Sequence, residues 1–110
     1  AGTLGTDTMA TTGDALLDYI TRLTMASREH PNVEVGVSPR GALLLCRMAK
    51  ARAYLLGRAF AVSEDVQAVF EPVCAHRLIV SAKARLAGVS AADVVRELLA
   101  DVPNPDRAAL

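Results

Sequence analysis

The sequence predicts a small all-α domain built as a four-helix bundle. Of the 110 residues, 52% are hydrophobic but only 4% are aromatic, and tryptophan is absent. The apolar side chains are therefore mainly those of alanine, leucine and valine, which suit closely packed helices better than a β-sandwich. Four segments place their apolar residues at helical spacing, and short breaks containing Gly, Pro or Ser separate these segments.

The first helix is predicted to run from about residue 14 to residue 29. It should stop before Pro31, since the residue that precedes a proline avoids the α conformation. Its apolar positions follow the i, i+3, i+4, i+7 spacing of an amphipathic helix. They are Leu16, Tyr19, Ile20, Leu23 and Ala26. The alternation in residues 33–35 then predicts a short extended segment.

The second helix is predicted to begin with two residues that are common at helix starts, followed by two that are uncommon there. Ser38 is a favourable N-cap. Pro39 suits the first helical position because an amide hydrogen there would have no partner within the helix, so its absence costs nothing. Arg40 then places a cation at the positive end of the helix dipole, which costs roughly 0.3–1 kcal/mol. Gly41 adds a cost of about 1 kcal/mol relative to alanine. Gly57 is a natural C′ residue for this helix. Leu43, Leu44, Met48 and Leu55 widen its apolar stripe, so this helix should be the central one.

Two more helices complete the prediction. Ser63 is expected to cap the third, whose first turn is acidic, while Pro72 should kink it or weaken it. The spacing of apolar residues in 76–88 does not assign this segment to a helix or to a strand. Ser90 and Asp93 form a pattern resembling a capping box at the start of the fourth helix, which should end near residue 102. The predicted domain thus covers residues 14–102.

The chain ends are expected to lie outside this domain. Residues 1–13 are rich in Gly and Thr without a hydrophobic period, which is typical of a flexible leader or of residues left by an expression vector. Residues 103–110 are expected to form a flexible tail.

Charge and cysteine usage indicate the class of protein. Twelve basic residues balance twelve acidic ones, so no basic excess points to nucleic acid, and a helix-turn-helix DNA binder is disfavoured. Cys46 and Cys74 lie in apolar runs, as buried thiols of a reduced intracellular protein do. No apolar stretch is long enough to cross a bilayer, and no signal-peptide pattern is visible. We therefore expect a cytoplasmic protein without a membrane or nucleic-acid partner.

The sequence lacks the motifs of an enzyme. It contains no phosphate-binding Gly-rich loop, no zinc helix and no nucleophile elbow. Cys74 and His76 could supply two metal ligands, but a structural site normally needs four, so no metal is expected. Arg47, Lys50 and Arg52 are interpreted as a solvated face whose long stems cover apolar surface.

Arg40 is the candidate functional residue, with Ser38 and Gly41 beside it. Its guanidinium could reach beyond the helix end, where the first-turn amides and the helix dipole also favour an anion. The planar fork of donors matches phosphate oxygens, and Gly41 would leave the approach clear. Alternatively, Arg40 extends into solvent or pairs with Glu34, and the residues alone do not decide between these interpretations.

Several short motifs, in order, resemble one known family. They are Ser27-Arg28, Gly36-Val37-Ser38-Pro39-Arg40, Gly57-Arg58, Glu64-Asp65-Val66 and His76-Arg77. Over residues 14–102 this pattern resembles the C-terminal lid of MoxR-type AAA+ ATPases. Ser27 stands where threonine is usual, Val37 where alanine is usual, and Pro72 is less expected.

The resemblance implies a lid whose ATPase core lies outside this chain. Arg40 would then be the sensor 2 arginine near the γ-phosphate of ATP, in its own or a neighbouring subunit, with Ser38 and Gly41 at the same site. ATP and Mg²⁺ would be the cofactors of the full-length protein, which would hydrolyse ATP, whereas the fragment would be inactive. Implied partners are the missing core, identical subunits in a ring, and a von Willebrand A-domain protein that works with a chaperone-like assembly machine.

The resemblance gives Arg28 and Arg58 no catalytic role, and packing or interdomain ion pairs are expected for them. A stand-alone helical module that binds a partner helix in a groove is the alternative function.

Overall fold

The computed structural model describes residues 13–105, and most of this part of the chain is α-helical. Its elements are, in chain order, α1 (Asp14–Glu29), β1 (Val33–Val35), α2 (Pro39–Leu55), α3 (Ser63–Cys74), a 3₁₀ turn (Ala75–Arg77), β2 (Ile79–Val80), α4 (Ala82–Leu86) and α5 (Ala91–Asp101). The predicted extended segment is β1. Apart from Gly13, the expected leader lies outside the described residues, as do residues 106–110 of the expected tail.

The first helix has the predicted bounds and the predicted buried face. Leu16, Tyr19, Ile20 and Leu23 are all buried, and Ala26 is partly buried against the same core. The helix ends at Glu29, and the extended backbone of His30 leads into Pro31.

The described residues contain five α-helices and a small sheet, so the simple four-helix bundle is not the observed architecture. β1 pairs with β2 in an antiparallel ladder, with Val33 opposite Val80 and an irregularity next to this pair. After β2, the Ser81 hydroxyl accepts a hydrogen bond from the Ala84 amide at 3.1 Å and caps the five-residue helix α4. Neither a two-residue strand nor a five-residue helix is long enough to leave a periodic pattern, which explains the ambiguity of this segment.

Every long helix contributes to the core, and the most extensive helix packing is that of α2 on α3. Small or medium side chains of α2 (Leu45, Ala49 and Ala53) face Val66 and Phe70 of α3, and all five are buried. The end of α2 is as predicted: Gly57 adopts φ +83°, and the Arg58 amide donates back to the Ala53 carbonyl at 2.9 Å. This is the hydrogen-bonding pattern of a glycine C-cap.

One side of α2 remains exposed, which makes this helix less central than the sequence predicts. Met48 is 42% exposed, Leu43 is 51% exposed and Leu55 is 82% exposed. Met48 and Leu55 are seven residues apart and form an exposed apolar face of α2, whereas Leu43 is exposed on a different side of the helix.

Helix α3 differs from its prediction at its start. It already includes Ser63, so Ser63 is not the N-cap; its hydroxyl instead donates to Asn104 Oδ1 at 2.6 Å. The Asp65 carboxylate accepts from the Val62 amide at 2.8 Å and caps the helix start. Pro72 lies within the helix, which continues to Cys74 before it tightens into the 3₁₀ turn.

Helix α5 begins as predicted. The Ser90 hydroxyl accepts from the Asp93 amide at 3.1 Å, and the Asp93 carboxylate accepts from the Ser90 amide at 2.9 Å. These two bonds form a reciprocal capping box. None of the helices in residues 13–105 combines the length and the apolar character needed to span a membrane.

Candidate functional site

The start of α2 forms as the sequence predicts, but it uses most of its own amides. The Ser38 hydroxyl accepts from the Gly41 amide at 3.1 Å, and the Ser38 carbonyl accepts from the Ala42 amide at 2.9 Å. Pro39 has no amide hydrogen. In this turn, the Arg40 amide is therefore the N–H left without a partner in the described part of the chain. A ligand here would meet one amide and the helix dipole, and not a full cradle of amides.

The Arg40 side chain projects from this helix start into solvent. It is exposed, and it makes no hydrogen bond or ion pair with any residue from 13 to 105. The alternative ion pair with Glu34 is therefore not formed. The guanidinium adds positive charge to the positive end of the α2 dipole, an unfavourable arrangement that an anion would reverse.

Gly41 is buried, and its lack of a side chain has a packing reason. A Cβ atom at this position would lie 2.9 Å from Val37 Cγ1 and 3.4 Å from Arg77 Cδ. The glycine thus allows a fully buried valine and the stem of an arginine to pack against the first turn of α2. Ser38 and Gly41 together build the helix start from which Arg40 projects.

Arg77 is a second arginine at this helix start, and the sequence did not point to it as a site residue. Its Nη1 donates to the Val73 carbonyl at 3.0 Å, and the same nitrogen contacts the His76 ring. The His76-Arg77 motif was visible, but Arg77 lies far along the chain from Gly41, and no local pattern connects them.

The loop before α2 is hydrogen-bonded to the end of α1 and packs against it. The Val37 amide donates to Ser27 Oγ at 2.9 Å, and the Val37 carbonyl accepts from Arg28 Nε at 3.0 Å. Gly36 lies directly against Arg28, since a Cβ at Gly36 would be 2.7 Å from Arg28 Cα. Arg28 therefore acts within the domain, as the packing role expected for it implies.

A buried carboxylate with two arginines joins α2, α3 and the loop between them. Asp65 is fully buried and accepts from Arg58 at 2.6 Å through each of its oxygens, and from Arg52 Nη1 at 2.7 Å. Burial alone would raise the pKa of Asp65, but hydrogen bonds from Arg58, the Val62 amide and Arg52 outweigh it and lower the pKa to about 2.

This cluster corrects one prediction and refines another. Arg52 does not belong to a merely solvated face, because its guanidinium reaches Asp65. Arg58 forms an ion pair with Asp65 within the domain, and the hydrogen bond to Asp65 raises the pKa of Arg58.

Cys74 and His76 do not converge on a metal site. Cys74 is fully buried in the core, and burial raises the pKa of its thiol to about 11, which disfavours the thiolate that binds metals. Among residues 13–105, no three His, Cys, Asp or Glu side chains cluster as metal ligands would.

Comparison with known proteins places this geometry in a family. Residues 25–98 match the AAA lid domain family. The chain is 34% identical over 92 residues to the uncharacterized protein YeaC of Bacillus subtilis, covering 84% of the chain and 29% of that protein. It is 39% identical over 74 residues to protein MoxR of Methylorubrum extorquens, covering 66% of the chain and 22% of that protein. It is 30% identical over 100 residues to chaperone MoxR1 of Mycobacterium tuberculosis, covering 83% of the chain and 26% of that protein.

A solved structure agrees with these relatives. The crystal structure of a candidate ATPase from Cytophaga hutchinsonii superposes with a TM-score of 0.82 at 29% identity, covering 86% of this chain and 32% of that one. The chain belongs to the AAA lid domain family, and its relatives define it as a lid of the MoxR type. It spans less than a third of the length of each of these proteins.

Proposed function

We propose that this lid closes over ATP held by an ATPase domain outside the chain, and that Arg40 acts there as the sensor 2 arginine. The observation that carries the proposal is the exposed guanidinium of Arg40, which has no carboxylate partner in the described residues and lies at the positive end of α2. Such a charge is unfavourable in the lid alone and favourable once a phosphate faces it.

The chemistry of Arg40 fits a phosphate ligand. A guanidinium stays protonated at any physiological pH, and its fork of N–H groups can donate two parallel hydrogen bonds to phosphate oxygens. Bound ATP supplies the phosphoryl group that is transferred to water. The part of Arg40 is to bind and orient the terminal phosphate and to stabilise the negative charge that spreads over its oxygens.

Ser38 and Gly41 contribute to the same site as the residues that shape its base. Ser38 caps the helix, and Gly41 permits the close packing of the first turn. Ligands for Mg²⁺ would come from the ATPase domain, since residues 13–105 contain no cluster of metal-binding side chains.

The whole protein would use this lid in a chaperone-like machine that hydrolyses ATP and assembles other complexes in the cytoplasm. Relatives named MoxR and chaperone MoxR1 support the chaperone-like character. Its partners would be its own ATPase core, identical subunits in a ring and a von Willebrand A-domain protein. The exposed apolar side of α2, with Met48 and Leu55, offers surface for the core.

The same exposed surface also fits the alternative of a helical module that binds a partner helix. The length of the native gene product distinguishes the two. An ATPase domain in the same polypeptide supports the lid, whereas a native start near Met9 supports the module.

The test is Arg40→Ala in the complete protein. We expect the ATP hydrolysis rate to fall by roughly 10²–10³, as for loss of one transition-state donor, while the far-ultraviolet circular dichroism of the lid is unchanged. Arg47→Ala is the matched control, since Arg47 is an exposed arginine of the same helix. Equal rates for the wild type, Arg40→Ala and Arg47→Ala would contradict the proposal.

A further inference from the structure

We propose that Ser27 and Arg28 are positioning residues for Arg40, because together they fix the backbone from which α2 begins. This inference rests on the proposed role of Arg40 and adds the means by which the lid directs it. Neither residue would touch the nucleotide; each would act through the Val37 peptide groups.

Two consecutive residues of α1 hold both polar groups of Val37. Ser27 is fully buried, and its hydroxyl donates to the Thr24 carbonyl at 2.6 Å, which leaves the oxygen free to accept the Val37 amide at 2.9 Å. Arg28 Nε donates to the Val37 carbonyl at 3.0 Å. A peptide segment held at its N–H and its C=O loses the freedom to translate or to rotate relative to α1.

Packing removes the remaining freedom of this loop. The Val37 side chain is fully buried, and Gly36 lies in backbone contact with Arg28. Only Ser38 and Pro39 separate Val37 from Arg40, and the Ser38 cap closes this turn. The direction of the first turn of α2 is therefore set by the end of α1.

Arg40 depends on this backbone for its position. In the described residues it has no hydrogen bond or ion pair that could fix its side chain. A displacement of the helix start would move the guanidinium by a similar amount. Misplacement of a catalytic group by about 1 Å can cost roughly 100-fold in rate.

The first measurement is amide hydrogen exchange in this chain. In Ser27→Ala, we expect the Val37 amide to exchange roughly tenfold faster, because one hydrogen bond is lost. The Gly41 and Ala42 amides, which donate to Ser38, should lose protection with it. Thr24→Val is the matched control: it removes a buried hydroxyl that donates to the Thr21 carbonyl on the same helix, but it leaves Val37 untouched. Equal protection of the Val37, Gly41 and Ala42 amides in both variants would overturn the inference.

The second measurement is steady-state ATP hydrolysis by the complete protein. Ser27→Ala and Arg28→Gln should each lower kcat roughly 10- to 100-fold with little change in KM, as expected for a misplaced catalytic group. Ser27→Thr keeps the hydroxyl and should retain kcat, whereas Thr24→Val should behave as the wild type.

A double-mutant cycle separates this inference from the proposed function. If Ser27 acts through Arg40, Ser27→Ala has no further effect on kcat in the Arg40→Ala background. Suppose that Arg40→Ala slows hydrolysis. The positioning role is then overturned if Ser27→Ala lowers kcat by the same factor in the Arg40→Ala background as in the wild type, or if Ser27→Ala alone leaves kcat unchanged. An unchanged rate in Arg40→Ala would instead overturn the proposed function, and the positioning role with it.

Discussion

Asp65 shows how a single buried charge can organise a small domain. It joins Arg52 on α2 and Arg58 in the following loop, and it also caps α3 through the Val62 amide. A buried carboxylate is costly unless every lone pair is used, and here hydrogen bonds from three residues use them. The same bonds keep its pKa at about 2, below the value of 3.8 for an unperturbed carboxyl.

This pKa predicts how the stability of the chain depends on pH. The folded pKa is depressed, so the stabilisation is complete above about pH 4 and is lost as the pH falls towards 2, where the folded carboxyl also binds its proton. We expect about 2 kcal/mol of the free energy of unfolding to disappear over this range. Asp65→Asn should cost about 3 kcal/mol at neutral pH and should lack this loss.

Urea unfolding of both proteins between pH 2 and pH 7 measures these differences. Asp18→Asn is the control, because Asp18 forms an exposed pair with Arg22 on one helix and should contribute within about 0.5 kcal/mol. The explanation fails if Asp65→Asn loses as much stability below pH 4 as the wild type does.

At the scale of elements, the start of α2 depends on a close fit between Gly41 and Val37. Gly41→Ala should gain up to about 1 kcal/mol of helix propensity, but a Cβ placed 2.9 Å from Val37 Cγ1 should cost about 1–3 kcal/mol. Because Val37 is held on α1, it cannot easily move away. We therefore expect Gly41→Ala to destabilise the wild type and to be neutral or stabilising in a Val37→Ala background.

A double-mutant cycle on the free energy of unfolding measures this coupling, which should be about 1 kcal/mol or more. Gly13→Ala in both backgrounds is the control, since a Cβ at Gly13 would meet no atom of the described residues within 4 Å. Its effect on the free energy of unfolding should be the same in the wild type and in the Val37→Ala background. If Gly41→Ala changes the free energy of unfolding equally in both backgrounds, the glycine has a role other than making room for Val37.

The elements that sequence predicts best are those whose signals are local. The bounds of α1, the Ser38 cap, the Gly57 end and the capping box of α5 each depend on residues within one or two turns. The pairing of β1 with β2 and the Arg52–Asp65 contact depend on segments that meet only in three dimensions. For the same reason, the sequence does not predict that Arg77 packs against Gly41 or that Ser27 accepts a hydrogen bond from Val37. Arg77, Val37 and Ser27 nevertheless each stand in a recognised motif.

At the scale of the whole molecule, the proposed function makes the chain one part of a nucleotide site. Arg40 supplies a charge, α2 supplies a dipole and one amide, and Arg77 lies close to the same helix start. Exposed charge pairs and helix dipoles each contribute on the order of 1 kcal/mol. These contributions fall well short of the roughly 8 kcal/mol that micromolar binding requires.

The chain alone should therefore bind ATP weakly and hydrolyse none. In a titration followed by backbone amide NMR, we expect shifts confined to residues 38–41 and to Arg77, with a dissociation constant of about 1 mM or weaker. Added salt should weaken the binding further, because an exposed charge interaction is screened. Arg40→Ala should abolish the shifts, whereas Arg22→Ala should preserve them, since Arg22 is an exposed arginine on α1 that pairs with Asp18. Micromolar affinity would mean that the lid carries a nucleotide site of its own. Shifts centred on another surface of the domain would mean that the α2 start is not where ATP is sensed.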